Sequence, residues 1–234
     1  MCIRDSITQA VTKGLDPTAP MKPSGIDWLD DVPQGWKLDK LNRRSIRIVT
    51  GKTPSSTGYD YFENGLVNWF SPSDFNDDDL ELSHAKKKLQ RIVFHETGQH
   101  LYPVGSVLLV GIGATLGKIG WVKNECTSNQ QINAIYPDET LNSEFLTYFL
   151  FAAREIIRAN SNASTLGILN QEKTGRLDVL IPAKAEQELI VNHIKNEEKL
   201  FRDLKKKVQA IVFHLKEYRT ALITNAVTGK IKVS

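Results

Sequence analysis

The chain has 234 residues, 41% hydrophobic and 24% charged, with a formal net charge of +3. That length admits one or two domains with a substantial core. No stretch approaches the roughly 20 apolar residues that span a bilayer, and the opening Met1–Ser6 has no apolar signal segment. This excludes a membrane span or a secreted precursor as the expectation. Cys2 and Cys126 have no metal-like spacing, so the expectation is a cytoplasmic protein with reduced thiols. A charge this mild points to no partner until its distribution is known.

Taken in chain order, residues 1–35 read as a linker, punctuated by Pro17, Pro20, Pro23, Gly25, Pro33 and Gly35. The linker begins with a near-copy of the chain's own end. Ile7-Thr8-Gln9-Ala10-Val11-Thr12-Lys13-Gly14 matches Ile223-Thr224-Asn225-Ala226-Val227-Thr228-Gly229-Lys230. That spacing suits one whole module, so residues 6–14 read as the tail of an upstream helix and the chain as one unit of a longer, truncated protein.

Residues 36–183 read as globular. Strands are expected at 65–70, 104–110, 118–122, 133–136 and 177–181, each bounded by turn residues. A single helix is expected over Ser143–Ala159, capped by Asn142 or Ser143. Strands and helices mix without a βαβ rhythm, so the fold class is α+β, a globular mixed sheet followed by a long helix.

Residues 184–234 differ. Ile190, Ile194, Glu197, Phe201, Leu204, Val208, Ile211, Leu215, Tyr218, Leu222 and Asn225 alternate spacings of three and four. This is an a/d seam of about five heptads, on a helix on the order of 60 Å long. A helix with so narrow a seam calls for a second long helix as its mate.

Several segments resemble the specificity subunit of type I restriction-modification systems. They are Pro23–Leu29 with Val32–Trp36; Gly51-Lys52-Thr53-Pro54, Tyr59, Gly65–Trp69 and Ser71–Asp74; Ile181-Pro182 with Glu186-Gln187; and Leu215–Ile223 with Ala226–Ile231. The resemblance runs from Ile7 to Val233. It implies a target recognition domain at 36–183 that reads half of a bipartite double-stranded DNA site. It also implies a conserved helix that pairs as an antiparallel coiled coil, spaces the half-sites and docks partners. Those partners would be methyltransferase subunits and a restriction subunit, which would bind S-adenosylmethionine, ATP and Mg. The second recognition domain and helix would come from the same full-length chain or from a homodimer.

The residues themselves offer binding rather than catalysis. Gly111–Lys118 invites a phosphate-loop reading, but only three residues separate Gly113 from Gly117, and Ile119 stands where Ser or Thr would bind magnesium. No methyltransferase or nuclease motif occurs, and His84, His95, His100, His193 and His214 have no ligand spacing, so the chain is expected to be non-catalytic and to hold no metal. Base reading needs cations for phosphates and amides for base edges. The candidates are Lys52, Ser55, Ser56 and Tyr59; Lys86, Lys87, Lys88 and Arg91; Thr115 and Lys118 at the glycine loop; Asn129, Gln130 and Gln131; and Arg158, Ser164 and Thr165. Each group has a plainer alternative: a solvated charge run, a tight strand connection, or a turn whose amides cap backbone. The rival function is a coiled-coil adaptor that binds no DNA; another is an enzyme that uses the glycine loop on a nucleotide.

Overall fold

A computed structural model describes residues 3–55, 60–162 and 167–230, except for the side chains of 160–162. In chain order the elements are α1 (Ile3–Lys13), β1 (Met21–Ile26), β2 (Leu29–Pro33), β3 (Lys37–Lys40), β4 (Ser45–Thr50), β5 (Val67–Phe70), β6 (Lys87–Leu89), α2 (Val93–Glu96), β7 (Val107–Val110), β8 (Ile119–Trp121), β9 (Cys126–Ser128), β10 (Ile132–Pro137), α3 (Ser143–Ala152), α4 (Arg154–Asn162), α5 (Gln171–Gly175), β11 (Asp178–Ile181) and α6 (Lys184–Val227). The class is α+β.

The central sheet is antiparallel in the order β4-β10-β7-β8. β7 reads Val-Leu-Leu-Val without a polar residue because both of its faces are covered. Alternation divides it: Val107 and Leu109 join Ile135 under α3, while Leu108 and Val110 join Val49, Ile132 and Ala134 against Phe70 and Tyr102. A three-stranded sheet, β6-β5-β9, lies on that second side, with β5 and β9 parallel. β3 pairs with β11 just before α6 begins.

The segment read as a linker is partly core. α1 buries Ile7, Ala10 and Val11 against α3 and α6. β1 and β2 form a hairpin in which Ser24 Oγ accepts from Ile26 N at 2.9 Å and also donates to the Leu29 carbonyl. Pro23 sits where the ladder shifts register, so its missing N–H is tolerated. The prolines therefore mark an irregular hairpin, not an unstructured run.

The helix expected over Ser143–Ala159 is two. Asn142 caps the first as expected, its side chain accepting from Glu144 N and Phe145 N. At Ala153 the backbone leaves the helix (φ −77°, ψ −2°). The next residue, Arg154, is buried and reaches Asp77 at 2.7 Å. No glycine or proline marks that break; a buried cation with a distant partner accompanies it.

α6 is one unbroken helix of 44 residues from Lys184 to Val227, and it carries the heptad seam that begins at Ile190. Its first turns are rooted in the head. Gln187, Ile190, Val191 and Ile194 are buried. Gln187 Oε1 accepts from Asn142 N at 2.7 Å, while Nε2 donates to the carbonyls of Thr140 and Pro182, both at 2.9 Å. Trp36 Nε1 donates to Glu186 Oε1 at 2.9 Å. Beyond this root Phe201, Leu204, Val208, Ile211, Leu215, Tyr218 and Leu222 are all exposed. The seam therefore has two fates: Ile190 and Ile194 belong to the core, and the rest meets water.

Candidate nucleic-acid interface

One end of the central sheet gathers several cationic and amide side chains. β4 leaves the sheet at Thr50, and the chain turns at Gly51 directly over the β9–β10 turn. A Cβ on Gly51 would stand 2.3 Å from the carbonyl oxygens of Ser128 and Asn129, so only glycine allows this approach. Gly51 N and Lys52 N donate to the carbonyls of Ile132 and Ser128 at 3.1 and 3.0 Å. Below them the buried Gln99 amide lies with Nε2 2.6 Å from Thr127 Oγ1, 3.0 Å from Ser128 O and 3.1 Å from Lys52 O. The Trp69 indole N–H donates to the same Lys52 carbonyl at 3.1 Å. The 51–55 loop is thus held on a rigid polar floor, with Lys52, Thr53 and Ser55 exposed above it.

Around this floor stand cations that have no carboxylate partner among the described residues. Lys52 Nζ donates only to the Gly98 carbonyl, at 3.1 Å. Arg47 projects from β4 opposite Tyr136. His100 lies near both; burial first, then the charges of Arg47 and Lys52, hold its imidazole below the ordinary histidine value. Burial raises the Tyr136 phenol to about 12, with Arg47 opposing. Lys87 stands 5.1 Å from the Phe62 ring centroid and 6.0 Å from that of Trp69.

The amides line the same rim. Thr53 Oγ1 donates to Gln130 Oε1 at 2.6 Å. Gln171, exposed at the start of α5, donates from Nε2 to Thr50 Oγ1 at 3.0 Å, and Thr50 in turn donates to the buried Asn133. Gln131 sits half-buried beside the glycine loop, its carbonyl accepting from Gly111 N at 2.8 Å. This is a cationic, amide-bearing rim on a fixed backbone, suited to phosphate contacts and base edges.

The sequence candidates fall into three sets. Lys52, Ser55, Lys87, Gln130 and Gln131 share this rim or its Trp69 flank. The second set has other duties. Asn129 is buried and spends its amide on Gln131, with Oδ1 accepting from Gln131 N at 3.0 Å and Nδ2 donating to Oε1 at 3.0 Å. Arg158 Nε donates to the Leu116 carbonyl at 2.7 Å and the guanidinium pairs with Glu155. Arg91 pairs with Glu125 at 3.2 Å. Lys118 Nζ reaches the Phe75 carbonyl at 3.1 Å, and its backbone N–H bonds to the half-buried Thr115. The glycine loop is a tight strand connection closed by Gly117 N to Val110 O at 2.9 Å. The third set, Ser56, Tyr59, Ser164 and Thr165, lies outside the described residues.

The triple lysine is not one cluster. Strand alternation sends Lys87 toward Trp69 and Lys88 to the opposite, Asn68 side. Lys86 precedes the strand and donates to the Ser73 carbonyl at 3.0 Å. Arg47, Gln99 and Gln171 were not singled out from the sequence, and His100 was weighed there only as a metal ligand. Arg47 alone had a local signal, the alternation in Ser45-Ile46-Arg47-Ile48-Val49. Among the described residues no group of three or more His, Cys, Asp or Glu is placed to hold a metal. Nor is any helix long and apolar enough to cross a membrane.

A mixed-sheet head rooted on one long helix is also the architecture of known specificity subunits. The crystal structure of the HsdS subunit from Thermoanaerobacter tengcongensis aligns with a TM-score of 0.65 at 19% identity, covering 98% of this chain and 50% of that one. A structure described as the basis of complex assembly and conformational transition of the type I R-M system aligns with a TM-score of 0.70 at 20% identity, covering 95% of this chain and 52% of that one. The fold class is therefore that of a type I specificity subunit. The family described as "Type I restriction modification DNA specificity domain" matches residues 46–212, and the chain belongs to it.

Curated relatives agree. The type I restriction enzyme MjaIX specificity subunit of Methanocaldococcus jannaschii is 26% identical over 179 residues, covering 75% of this chain and 40% of that protein. The EcoprrI specificity subunit of Escherichia coli is 24% identical over 164 residues, covering 68% of this chain and 40% of that protein. The chain spans less than half the length of these relatives.

Proposed function

We propose that this chain supplies sequence specificity to a cytoplasmic type I restriction-modification complex by reading one half of a bipartite duplex target. The head would read DNA, and α6 would set half-site spacing and dock methyltransferase subunits. Catalysis, with S-adenosylmethionine, ATP and Mg, belongs in this reading to the methyltransferase and restriction partners. The observation that carries it is the rim of Arg47, Lys52 and Lys87 around Gln130, Gln131 and Gln171. Its cations have no carboxylate partner among the described residues, while Arg91, Arg154 and Arg158 are each paired with a carboxylate.

In this reading Arg47, Lys52 and Lys87 take phosphates and fix the register, and the glutamine amides meet base edges. Each phosphate contact contributes about 0.9 to the slope of log affinity against log salt. Arg47→Ala with Lys52→Ala in the assembled complex should lower that slope by roughly 2 and weaken binding evenly across sequences. Gln130→Ala with Gln171→Ala should instead cost about 1–3 kcal/mol on the cognate half-site only. A complex that assembles with methyltransferase subunits yet has no duplex affinity at low salt would establish the adaptor reading instead.

A further inference from the structure

Three basic side chains from three segments meet at the rim, and one of them changes charge near neutrality. Arg47 comes from β4, Lys52 from the loop that follows it, and His100 from the chain between α2 and β7. Both cations lie close enough to His100 to act on its charge.

The backbone around His100 is pinned on both sides. Before it, the Gly98 carbonyl accepts from Lys52 Nζ at 3.1 Å, and the buried Gln99 amide donates to Lys52 O, Thr127 Oγ1 and Ser128 O. After it, Tyr102 N donates to the Cys126 carbonyl at 2.7 Å, and Cys126 N to the Tyr102 carbonyl at 3.3 Å. The half-buried imidazole is thereby fixed beside Arg47 and Lys52.

Among the described residues no carboxylate relieves this crowding. The acid on the same segment, Glu96, accepts from Tyr61 Oη at 2.8 Å. The other titratable groups of the corner are Tyr102, Tyr136 on β10 and Cys126 on β9. Burial pushes all three upward, so none exchanges a proton near neutrality. The imidazole is the side chain that does. In the free chain a proton on it would be a third positive charge on a partly desolvated site, and both conditions favour the neutral ring. An anion held by Arg47 and Lys52 brings opposite charge to the same corner and reverses that preference.

We propose that His100, Arg47 and Lys52 form a proton-linked seat for a duplex phosphate, in which the ring is neutral in the free chain and gains one proton as the phosphate enters. This rests on the DNA reading and adds that affinity is tied to pH through one residue. The sign follows from linkage. The complex holds one more proton than the free chain, so affinity rises as pH falls, by up to about tenfold per pH unit. It levels off once the free ring is itself protonated.

The test is calorimetry of the full chain with a random-sequence duplex at low salt, repeated in buffers of different ionisation enthalpy. Near neutrality the parent should take up as much as about one proton per chain. His100→Gln should lose most of that uptake and flatten the pH dependence. His100→Lys, whose charge is permanent, should be equally flat but should bind several-fold tighter than His100→Gln above neutrality. Proton NMR gives a second reading: the His100 titration midpoint should rise when the duplex is added. If His100→Gln fails to fold, that midpoint decides alone. Duplex binding without proton uptake, unchanged uptake in His100→Gln, or an unmoved midpoint overturns the seat and leaves the DNA reading standing. No duplex affinity at any salt overturns both.

Discussion

Lys184–Ile194 and Phe201–Val227 belong to one helix and carry one spacing of apolar side chains, yet they are held by different physics. The first stretch is rooted by buried Ile190 and Ile194 and by Gln187, whose amide serves three backbone groups from two sides. The second exposes its apolar positions from Leu204 onward and keeps its helix through continuity with a preformed nucleus. Heptad spacing thus reports that an apolar face will be covered, not by what. Near the root the cover is the head and α1; farther out the apolar positions are exposed.

The sharpest way to break this contrast is a matched pair of truncations. In the single chain at high dilution, Ile190→Ala should cost about 3 kcal/mol in urea denaturation, through lost burial and a cavity. Ile211→Ala should stay within about 0.5 kcal/mol, as for an uncovered surface site. Equal costs would show that the outer stretch is covered even in the monomer.

A smaller effect tests the polar part of the root. Gln187→Ala leaves Asn142 N–H and the carbonyls of Thr140 and Pro182 without their partner, and should cost about 2 kcal/mol. The expected readout is a lower midpoint with early loss of protection at the start of α6 in hydrogen exchange.

The smallest sits at the boundary between the two regions. Tyr148 donates to Glu198 at 3.2 Å, and burial raises the Glu198 carboxyl above its ordinary 4.5, against the pull of Tyr148 and Arg202. A raised carboxylate favours the folded state below the unfolded value and loses that contribution as pH climbs through the folded one. Glu198→Gln should therefore flatten the decline in melting temperature as pH rises from about 4.5 toward neutrality. An unchanged profile would mean the carboxylate is already fully hydrated.

Much of this contrast is legible in the residues alone. The alternating three-and-four spacing made α6 legible from Ile190 onward, because one helix face carries its own periodicity. Asn142 was legible as a cap for the same local reason. The β1–β2 hairpin was not, since Pro23 lies at an irregularity stabilised by Ser24 and not by a ladder. The break at Ala153 was hidden because Arg154 and Asp77, the buried pair beside it, are far apart in sequence. In the candidate interface Lys52, Gln130 and Gln131 were visible as residue types, but Arg47, His100 and Gln171 join them only through β4–β10 pairing and the seating of α5. The lysine triplet misled in the opposite sense: adjacency looked like a patch until strand alternation split it.

The rooting of α6 has a mechanical corollary. A rod on the order of 60 Å, clamped over its first few turns, behaves as a lever arm. A tilt of about 10° at the Gln187 clamp swings the tip by roughly 10 Å, three base-pair steps along a duplex. The stiffness of a few buried hydrogen bonds at one end therefore governs how accurately anything held at the other is aimed.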